Sequence, residues 1–90
     1  MSKTFAQRVC VDVEGTVQGV GFRPFVYRLA HELELVGWVC NTRNGVRFEI
    51  EGDSSAIEVF LQRLRADAPA SASVEAIKAC TIAVLGDEGF

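Results

Sequence analysis

The sequence predicts a single α+β domain, and two observations lead to this prediction. Four segments alternate apolar and polar residues, as half-buried strands do, and two segments repeat apolar residues at helical spacing. Along the chain these segments follow the order βαββαβ. Ninety residues, 49% of them apolar, are enough for one modest hydrophobic core and leave no room for a second, so residues 1–90 are interpreted as one domain.

The first strand is predicted over residues 8–14, where Val9, Val11 and Val13 face one side and charged residues face the other. The segment 15–21 follows as a loop that contains three glycines.

The first helix is predicted to begin at Phe22. Pro24 suits its first turn, where no amide donor is needed. Apolar side chains then form one stripe of the helix: Phe22, Phe25, Val26, Leu29, Ala30 and Leu33.

Gly37 is predicted to end the helical region and to admit a second strand, in which Val36, Trp38 and Cys40 share one face. The segment from Asn41 to Gly45 predicts a hairpin turn, because Asn-Gly readily adopts positive φ.

The third strand is predicted over 46–51 and is expected to end at Gly52-Asp53. Ser55 and Glu58 have the spacing of a capping box, which predicts the start of a second amphipathic helix. A fourth strand is predicted over 74–84, with a bulge because its alternation is irregular. The whole is a ferredoxin-like βαββαβ sandwich, with an antiparallel sheet and two helices on one face.

Composition and charge exclude several classes of function. The net charge is −3, which disfavours general nucleic-acid binding, and no apolar run is long enough to cross a membrane or to form a signal peptide. We therefore expect a soluble cytoplasmic protein that binds neither nucleic acid nor membrane. The segment 15–47 carries four arginines against two glutamates, so a small anion would be drawn to this part of the chain.

The cysteines and the single histidine do not predict a metal site. Cys10, Cys40 and Cys80 form no CxxC pair, and His31 is predicted to be a surface residue. We expect reduced thiols, with Cys10 and Cys80 buried in their strands. Trp38 and the phenylalanines are interpreted as core or terminal residues: Phe5, Phe22, Phe25, Phe48, Phe60 and Phe90.

The segment from Gly15 to Arg23 is the strongest candidate for a binding site. A glycine-rich loop before a helix gathers backbone N–H groups, and the helix dipole adds positive charge, so the segment suits a phosphate group. Arg23 can place its guanidinium group on the same anion. The alternative is a tight strand-to-helix connection with a solvated arginine. The P-loop and dinucleotide motifs are absent, since the segment has no lysine and position 24 is proline.

Two sequence stretches resemble the signatures of the acylphosphatase family. They are Gly15-Thr-Val-Gln-Gly-Val-Gly-Phe-Arg23 and Gly37-Trp-Val-Cys-Asn41-x-x-x-Gly45, and the likeness extends over residues 8–84. The resemblance implies the βαββαβ fold and the hydrolysis of an acyl phosphate to a carboxylate and inorganic phosphate, without metal or other cofactor.

The resemblance also implies roles for individual residues. Arg23 matches the arginine that binds the phosphoryl group, and Asn41 matches the asparagine that positions the attacking water. The amides of the loop match the phosphate cradle: Gln18, Gly19, Val20, Gly21 and Phe22.

The run Gly-Phe-Arg-Pro-Phe-Val, together with Val39-Cys40-Asn41, is similar to the N-terminal acylphosphatase domain of the carbamoyltransferase in NiFe-hydrogenase maturation. This likeness implies carbamoyl phosphate as the substrate and a longer parent chain. The downstream domains of that chain and the hydrogenase maturation proteins would then be partners. The alternatives are a free-standing acylphosphatase and a non-catalytic module that binds an anion or a partner.

Overall fold

A computed structural model describes residues 6–86 and 88–90 of the chain. The elements are the strand β1 (Ala6–Thr16), the helix α1 (Phe22–Glu32), the strands β2 (Val36–Asn41) and β3 (Gly45–Asp53), the helix α2 (Ser54–Ala66) and the strand β4 (Ser73–Ile82). The strands pair antiparallel in the order β2-β3-β1-β4. The predicted order of elements and the ferredoxin-like sandwich are confirmed.

The core lies between one face of the sheet and the two helices. The central strands β1 and β3 contribute the alternating residues of this covered face: Val9, Val11, Val13, Val46, Phe48 and Ile50. The predicted stripe of α1 and the apolar side of the amphipathic helix α2 pack onto it, with Phe22, Phe25, Val26, Phe60 and Leu64 all buried. The phenylalanine prediction is confirmed at these positions, Phe90 is partly buried against the core, and Phe5 lies outside the described residues.

The fourth strand carries the predicted bulge. Glu14 pairs with Ala76 while Gly15 pairs with Val74, so the register passes over Glu75. The bulge lies where β1 leaves the sheet toward the glycine loop, which places the irregularity beside the candidate site.

The helix α1 ends differently from the prediction. Glu34 adopts the left-handed conformation, with φ of 57°. The Leu35 amide donates to the Ala30 carbonyl and the Glu34 amide to that of His31, which together form a Schellman motif. Gly37 instead lies within β2, where an added Cβ would meet the Glu49 carbonyl oxygen at 1.9 Å.

The β2–β3 hairpin is at the predicted position but for another reason. Among the described residues other than glycine, Glu34 alone has positive φ, so Asn44 does not. Gly45 is the first residue of β3, and an added Cβ there would lie 1.9 Å from the Val13 carbonyl oxygen. Close approach of β1, rather than a turn conformation, therefore requires this glycine.

The predicted capping box is wrong. β3 runs through Gly52 to Asp53, and Asp53 is the N-cap of α2, without a side-chain capping bond. Ser55 and Glu58 are therefore inside the helix. Gly52 continues the strand opposite Gln7. A glycine is needed there because an added Cβ would lie 2.5 Å from Cδ2 of Leu35.

The face of the sheet turned away from the helices, called the open face here, is polar. Trp38 lies on this face and is 37% exposed, so the prediction of a core tryptophan is wrong; its neighbour Val39 packs against the core instead. Cys80 is exposed and Cys10 only partly buried, which corrects the prediction of buried thiols. The predicted surface position of His31 is confirmed.

The segment after β4, residues 83–86 and 88–90, is called the tail. The amides of Leu85 and Gly86 donate to the Glu51 carboxylate on β3, and the Gly37 amide on β2 donates to the Gly89 carbonyl. The Phe90 ring lies 5.9 Å from that of Tyr27 on α1. The tail therefore reaches from the β4 edge of the sheet to the opposite edge.

Candidate active site

The glycine loop is anchored to the core by two valines. Val17 is buried and Val20 is partly buried, whereas Gln18, Gly19 and Gly21 are exposed. Gly19 and Gly21 have φ of 73° and 83°, and an added Cβ at either position would meet no protein atom within 4 Å. These glycines are needed for backbone conformation, and the space beside them is open to a ligand.

Among the described residues, no side chain caps the N-terminus of α1. Gly21 is its N-cap, and its first turn contains no acidic residue. The first helical amides belong to Phe22 and Arg23, and the next residue, Pro24, has no amide hydrogen. With the positive end of the helix dipole beside the left-handed loop, this junction is suited to an anion.

Arg23 is exposed and keeps its guanidinium available. Within residues 6–86 and 88–90 its side chain makes no ion pair and no hydrogen bond, whereas Arg8, Arg47 and Arg63 all pair with carboxylates. Arg23 lines a groove of about 260 Å³ together with Pro24, Tyr27 and Val39. A charged group thus stands beside a largely apolar space.

Asn41 is the last residue of β2 and is exposed. Since side chains alternate along a strand, Asn41 lies on the same side of β2 as Val39, which lines the Arg23 groove. Its side-chain amide makes no hydrogen bond to any described residue. Asn41 is therefore free to bind a water molecule or a ligand on the side where Arg23 stands.

The side chain of Gln18 connects the loop to the hairpin, which sequence reasoning missed. Its Nε2 atom donates to the carbonyl oxygens of Thr42 at 2.5 Å and Gly45 at 2.8 Å. The Gly15 amide donates to the Asn44 carbonyl in the same hairpin. Local sequence offers no signal for these bonds, because the partners are joined only when β1 and β3 pair.

The glycine loop lies against the β2–β3 hairpin, and Val39 of β2 lines the same groove as Arg23. The loop amides and Arg23 are at the start of α1, and Gln18 holds the loop against the hairpin that begins after Asn41. The roles in binding and catalysis stay predictions for all of the candidate site residues: Gln18, Gly19, Val20, Gly21, Phe22, Arg23 and Asn41.

A larger groove, of about 310 Å³, lies beyond the hairpin and is lined by Asp12, Arg43, Arg47 and Lys78 among others. Arg47 is already paired there with Asp12 at 2.7 Å. We favour the Arg23 groove, because it lies at the N-terminus of α1, directly after the glycine loop, where the helix dipole adds positive charge.

The part of the chain that the structure describes lacks two features. It contains no group of three or more His, Cys, Asp and Glu side chains placed to hold a metal ion. None of its helices has the length and apolar character needed to span a membrane.

Comparison with known proteins places this site in context. The acylphosphatase family model matches residues 9–90. The carbamoyltransferase HypF2 of Cupriavidus necator is 54% identical over 70 residues, which are 78% of this chain and 9% of that protein.

Solved structures agree with the sequence matches. Full-length HypF, in a phosphate- and nucleotide-bound form, superposes with a TM-score of 0.94 at 31% identity, over 99% of this chain and 12% of that one. An acylphosphatase from Coxiella burnetii superposes with a TM-score of 0.89 at 31% identity, over 100% of this chain and 97% of that one. The chain thus spans about a tenth of the HypF proteins and nearly all of this acylphosphatase.

Proposed function

Since the chain belongs to the acylphosphatase family, we propose that it hydrolyses an acyl phosphate and that carbamoyl phosphate is its substrate. The observation that carries this proposal is the exposed Arg23, which pairs with no described carboxylate and follows a glycine loop in which an added Cβ at Gly19 or Gly21 would meet no atom within 4 Å. A guanidinium group beside a glycine-rich loop at a helix N-terminus suits a phosphoryl group.

The phosphoryl group is bound by positive charge and backbone donors. The amides from Gln18 to Phe22 surround its oxygens, and the Arg23 guanidinium binds two of them as a fork. Since the phosphorus is attacked by water, negative charge spreads over these oxygens in the transition state. The donors are held by the fold beforehand, so they stabilise that charge without reorganising.

Asn41 positions the nucleophile, which is a water molecule. Its side-chain amide holds a water molecule in line with the bond between phosphorus and the acyl oxygen. The water oxygen bonds to phosphorus, the bond to the acyl oxygen breaks with its electron pair, and carbamate and dihydrogen phosphate form. The carbamate is a good leaving group, so the reaction needs no strong general acid; metal independence belongs to the same proposal.

Carbamoyl phosphate is favoured over other acyl phosphates by the likeness to the carbamoyltransferases. The match to HypF2 of Cupriavidus necator is 54% identical over 70 residues. By this likeness the chain would act as the acylphosphatase domain of a NiFe-hydrogenase maturation carbamoyltransferase. The carbamate would pass to further domains of that protein.

A second candidate is general acylphosphatase activity without a carbamoyl preference. The superposition on the Coxiella burnetii acylphosphatase, which covers 97% of that chain, favours it. The two candidates share every residue role and differ in the acyl group that the site accepts.

The test is phosphate release from carbamoyl phosphate and from acetyl phosphate by the 90-residue chain, with Arg23→Ala alongside and with EDTA in a parallel series. We expect turnover that favours carbamoyl phosphate, is lost in Arg23→Ala and is unchanged by EDTA. Equal turnover of both substrates would support the second candidate. Absence of turnover with retained phosphate binding would refute hydrolysis by this chain, and inhibition by EDTA would refute the metal-free mechanism.

A further inference from the structure

All three cysteines lie on the open face of the sheet, but only two of them are neighbours. Cys10 on β1 stands directly opposite Cys80 on β4 in the antiparallel register. Cys40 on β2 stands opposite Arg47, with Asp12 as the next residue in the row. The fold therefore creates one cysteine pair and one isolated cysteine on the same surface.

The register brings the two cysteines to the Cα separation that a disulfide needs. Residues directly opposite each other in antiparallel strands have Cα atoms about 4.5–5.5 Å apart, and disulfides form over separations of roughly 4.4–6.8 Å. Both side chains leave the sheet on the same face, because they occupy one row of the register. A bridge would thus need no change in strand pairing.

We propose that Cys10 and Cys80 are a redox-active thiol pair that low-molecular-weight disulfides convert to a reversible cross-strand disulfide. The proposal is independent of the proposed hydrolase function, because it rests on the open face and not on the Arg23 corner.

The two thiols have different surroundings, which sets the order of the reaction. Cys80 is exposed on an edge strand, and Lys78 lies on the same face two residues before it. Cys10 is partly buried on a central strand, and burial, followed by nearby Glu49 and Asp12, raises the pKa of its thiol. Cys80 therefore reacts first with the external disulfide, and Cys10 is the resolving thiol.

The reaction is two successive thiol–disulfide exchanges. The Cys80 thiolate attacks one sulfur of the oxidant, which forms a mixed disulfide and releases one external thiolate. Cys10 loses its proton, attacks the Cys80 sulfur and releases the second external thiolate. Two cysteine thiols are oxidised to one disulfide, and one external disulfide is reduced to two thiols.

The bridge would fasten the edge strand β4 to the central strand β1. Because it joins positions 70 residues apart in the sequence, it would restrict the unfolded ensemble strongly. We therefore expect the oxidised form to unfold at a higher urea concentration than the reduced form.

The test uses oxidised glutathione as the probe, followed by acid quenching, intact mass measurement and peptide mapping without reduction. In the wild type we expect a Cys10–Cys80 bridge, together with a stable glutathione adduct at the isolated Cys40. In Cys10→Ser we expect the adduct to remain on Cys80, since the resolving thiol is absent. Cys40→Ser is the matched control and should form the bridge without any adduct.

Three outcomes would overturn the proposal: a stable adduct on Cys80 of the wild type, a bridge that involves Cys40 or a second chain, or unreacted Cys80 where Cys40 has reacted. Circular dichroism of each variant checks that it is folded. An equal urea midpoint for oxidised and reduced Cys40→Ser would also contradict a bridge between β1 and β4.

Discussion

Two arginines, Arg8 in β1 and Arg23 in α1, have opposite surroundings in this fold. Arg8 has no exposed surface, and its guanidinium donates to Glu49 at 2.7 Å and to Glu51 at 3.1 Å. Arg23 is exposed, and no carboxylate among the described residues pairs with it. The first charge is satisfied within the protein, whereas the second is left for an external anion.

The comparison separates a structural charge from a functional one. A buried charge that loses its partner is costly, so Arg8 and its carboxylates depend on one another. An exposed charge at the surface contributes little to stability, and keeping it unpaired costs the fold little. The two arginines should therefore respond oppositely to substitution, with stability affected at Arg8 and chemistry at Arg23.

The largest effect is expected for Arg8→Met, which leaves the Glu49 and Glu51 carboxylates without their cation. The free energy of unfolding should fall by about 3–5 kcal/mol, measured by urea denaturation. Phosphate binding by the folded fraction should be unchanged. Arg47→Met is the control on the same face, because its ion pair with Asp12 is exposed. A loss of unfolding free energy as large as that of Arg8→Met would contradict the distinction between a buried and an exposed ion pair.

Arg23→Ala should have the converse effect. We expect turnover of carbamoyl phosphate to fall about 10²–10³-fold, equivalent to about 2.7–4 kcal/mol in activation free energy. The reason is that the substitution removes the guanidinium cation that stabilises the negative charge of the phosphoryl oxygens. Phosphate binding should be lost, and the urea midpoint should stay at the wild-type value. Arg28→Ala, at another exposed arginine of α1, should retain binding and turnover; unchanged phosphate affinity in Arg23→Ala would contradict the assignment.

Asn41→Ala tests the other half of the site. We expect kcat to fall about 10²-fold with little change in phosphate affinity. Without Asn41 the attacking water is misplaced, which slows the chemical step even when phosphate still binds. Single-turnover kinetics and phosphate inhibition separate the two quantities. Asn44→Ala in the same hairpin is the control. A loss of binding that equals the loss of kcat would exclude water positioning.

Gln18→Met keeps the length of the side chain and removes the donor that joins the loop to the hairpin. Two hydrogen bonds are lost, so we expect a decrease of about 1–3 kcal/mol in unfolding free energy. We also expect a decrease in kcat that is smaller than that of Asn41→Ala. In the double variant with Asn41→Ala, the kcat effects should not add, because Gln18 acts on the position of Asn41. Full additivity would show that the two side chains act separately.

The smallest expected effect is the pH dependence of the stability that Glu51, a partner of Arg8, contributes. The amide of Leu85 is the main cause that lowers the pKa of Glu51, and Arg8 lowers it further. A lowered pKa in the folded state means that Glu51 contributes stability above its ordinary pKa of about 4.5, and that this contribution is lost as the pH falls through the folded value. Urea midpoints at a series of pH values should fall with acid less steeply in Glu51→Gln than in the wild type. Parallel curves would exclude this contribution.

The sequence predicted what depends on local periodicity. The valines of β1 and the stripe of α1 follow the strand and helix repeats, and the structure buries them as predicted. In β2 the same reasoning was wrong for Trp38, because apolar residues stand on both sides of that strand and the repeat does not identify the covered face.

Features that depend on distant chain segments could not be predicted. Alternation placed Arg8 on the polar side of β1, which is correct, but its burial depends on Glu49, on Glu51 and on the tail that binds Glu51. The bonds of Gln18 and the opposition of Cys10 and Cys80 also follow from strand register. The loop and Arg23 were predicted because a glycine-rich motif encodes local backbone conformation.

The central position of β1 has a consequence for how the chain folds. β1 is the first strand of this sheet in chain order, yet its partner β4 is the last of the four, and the tail that binds Glu51 follows β4. During synthesis the valines of β1 therefore remain without their complete sheet until β4 has emerged. Folding that depends on such distant pairing is slow, and a nascent β1 with unpaired edges is exposed to association with other chains.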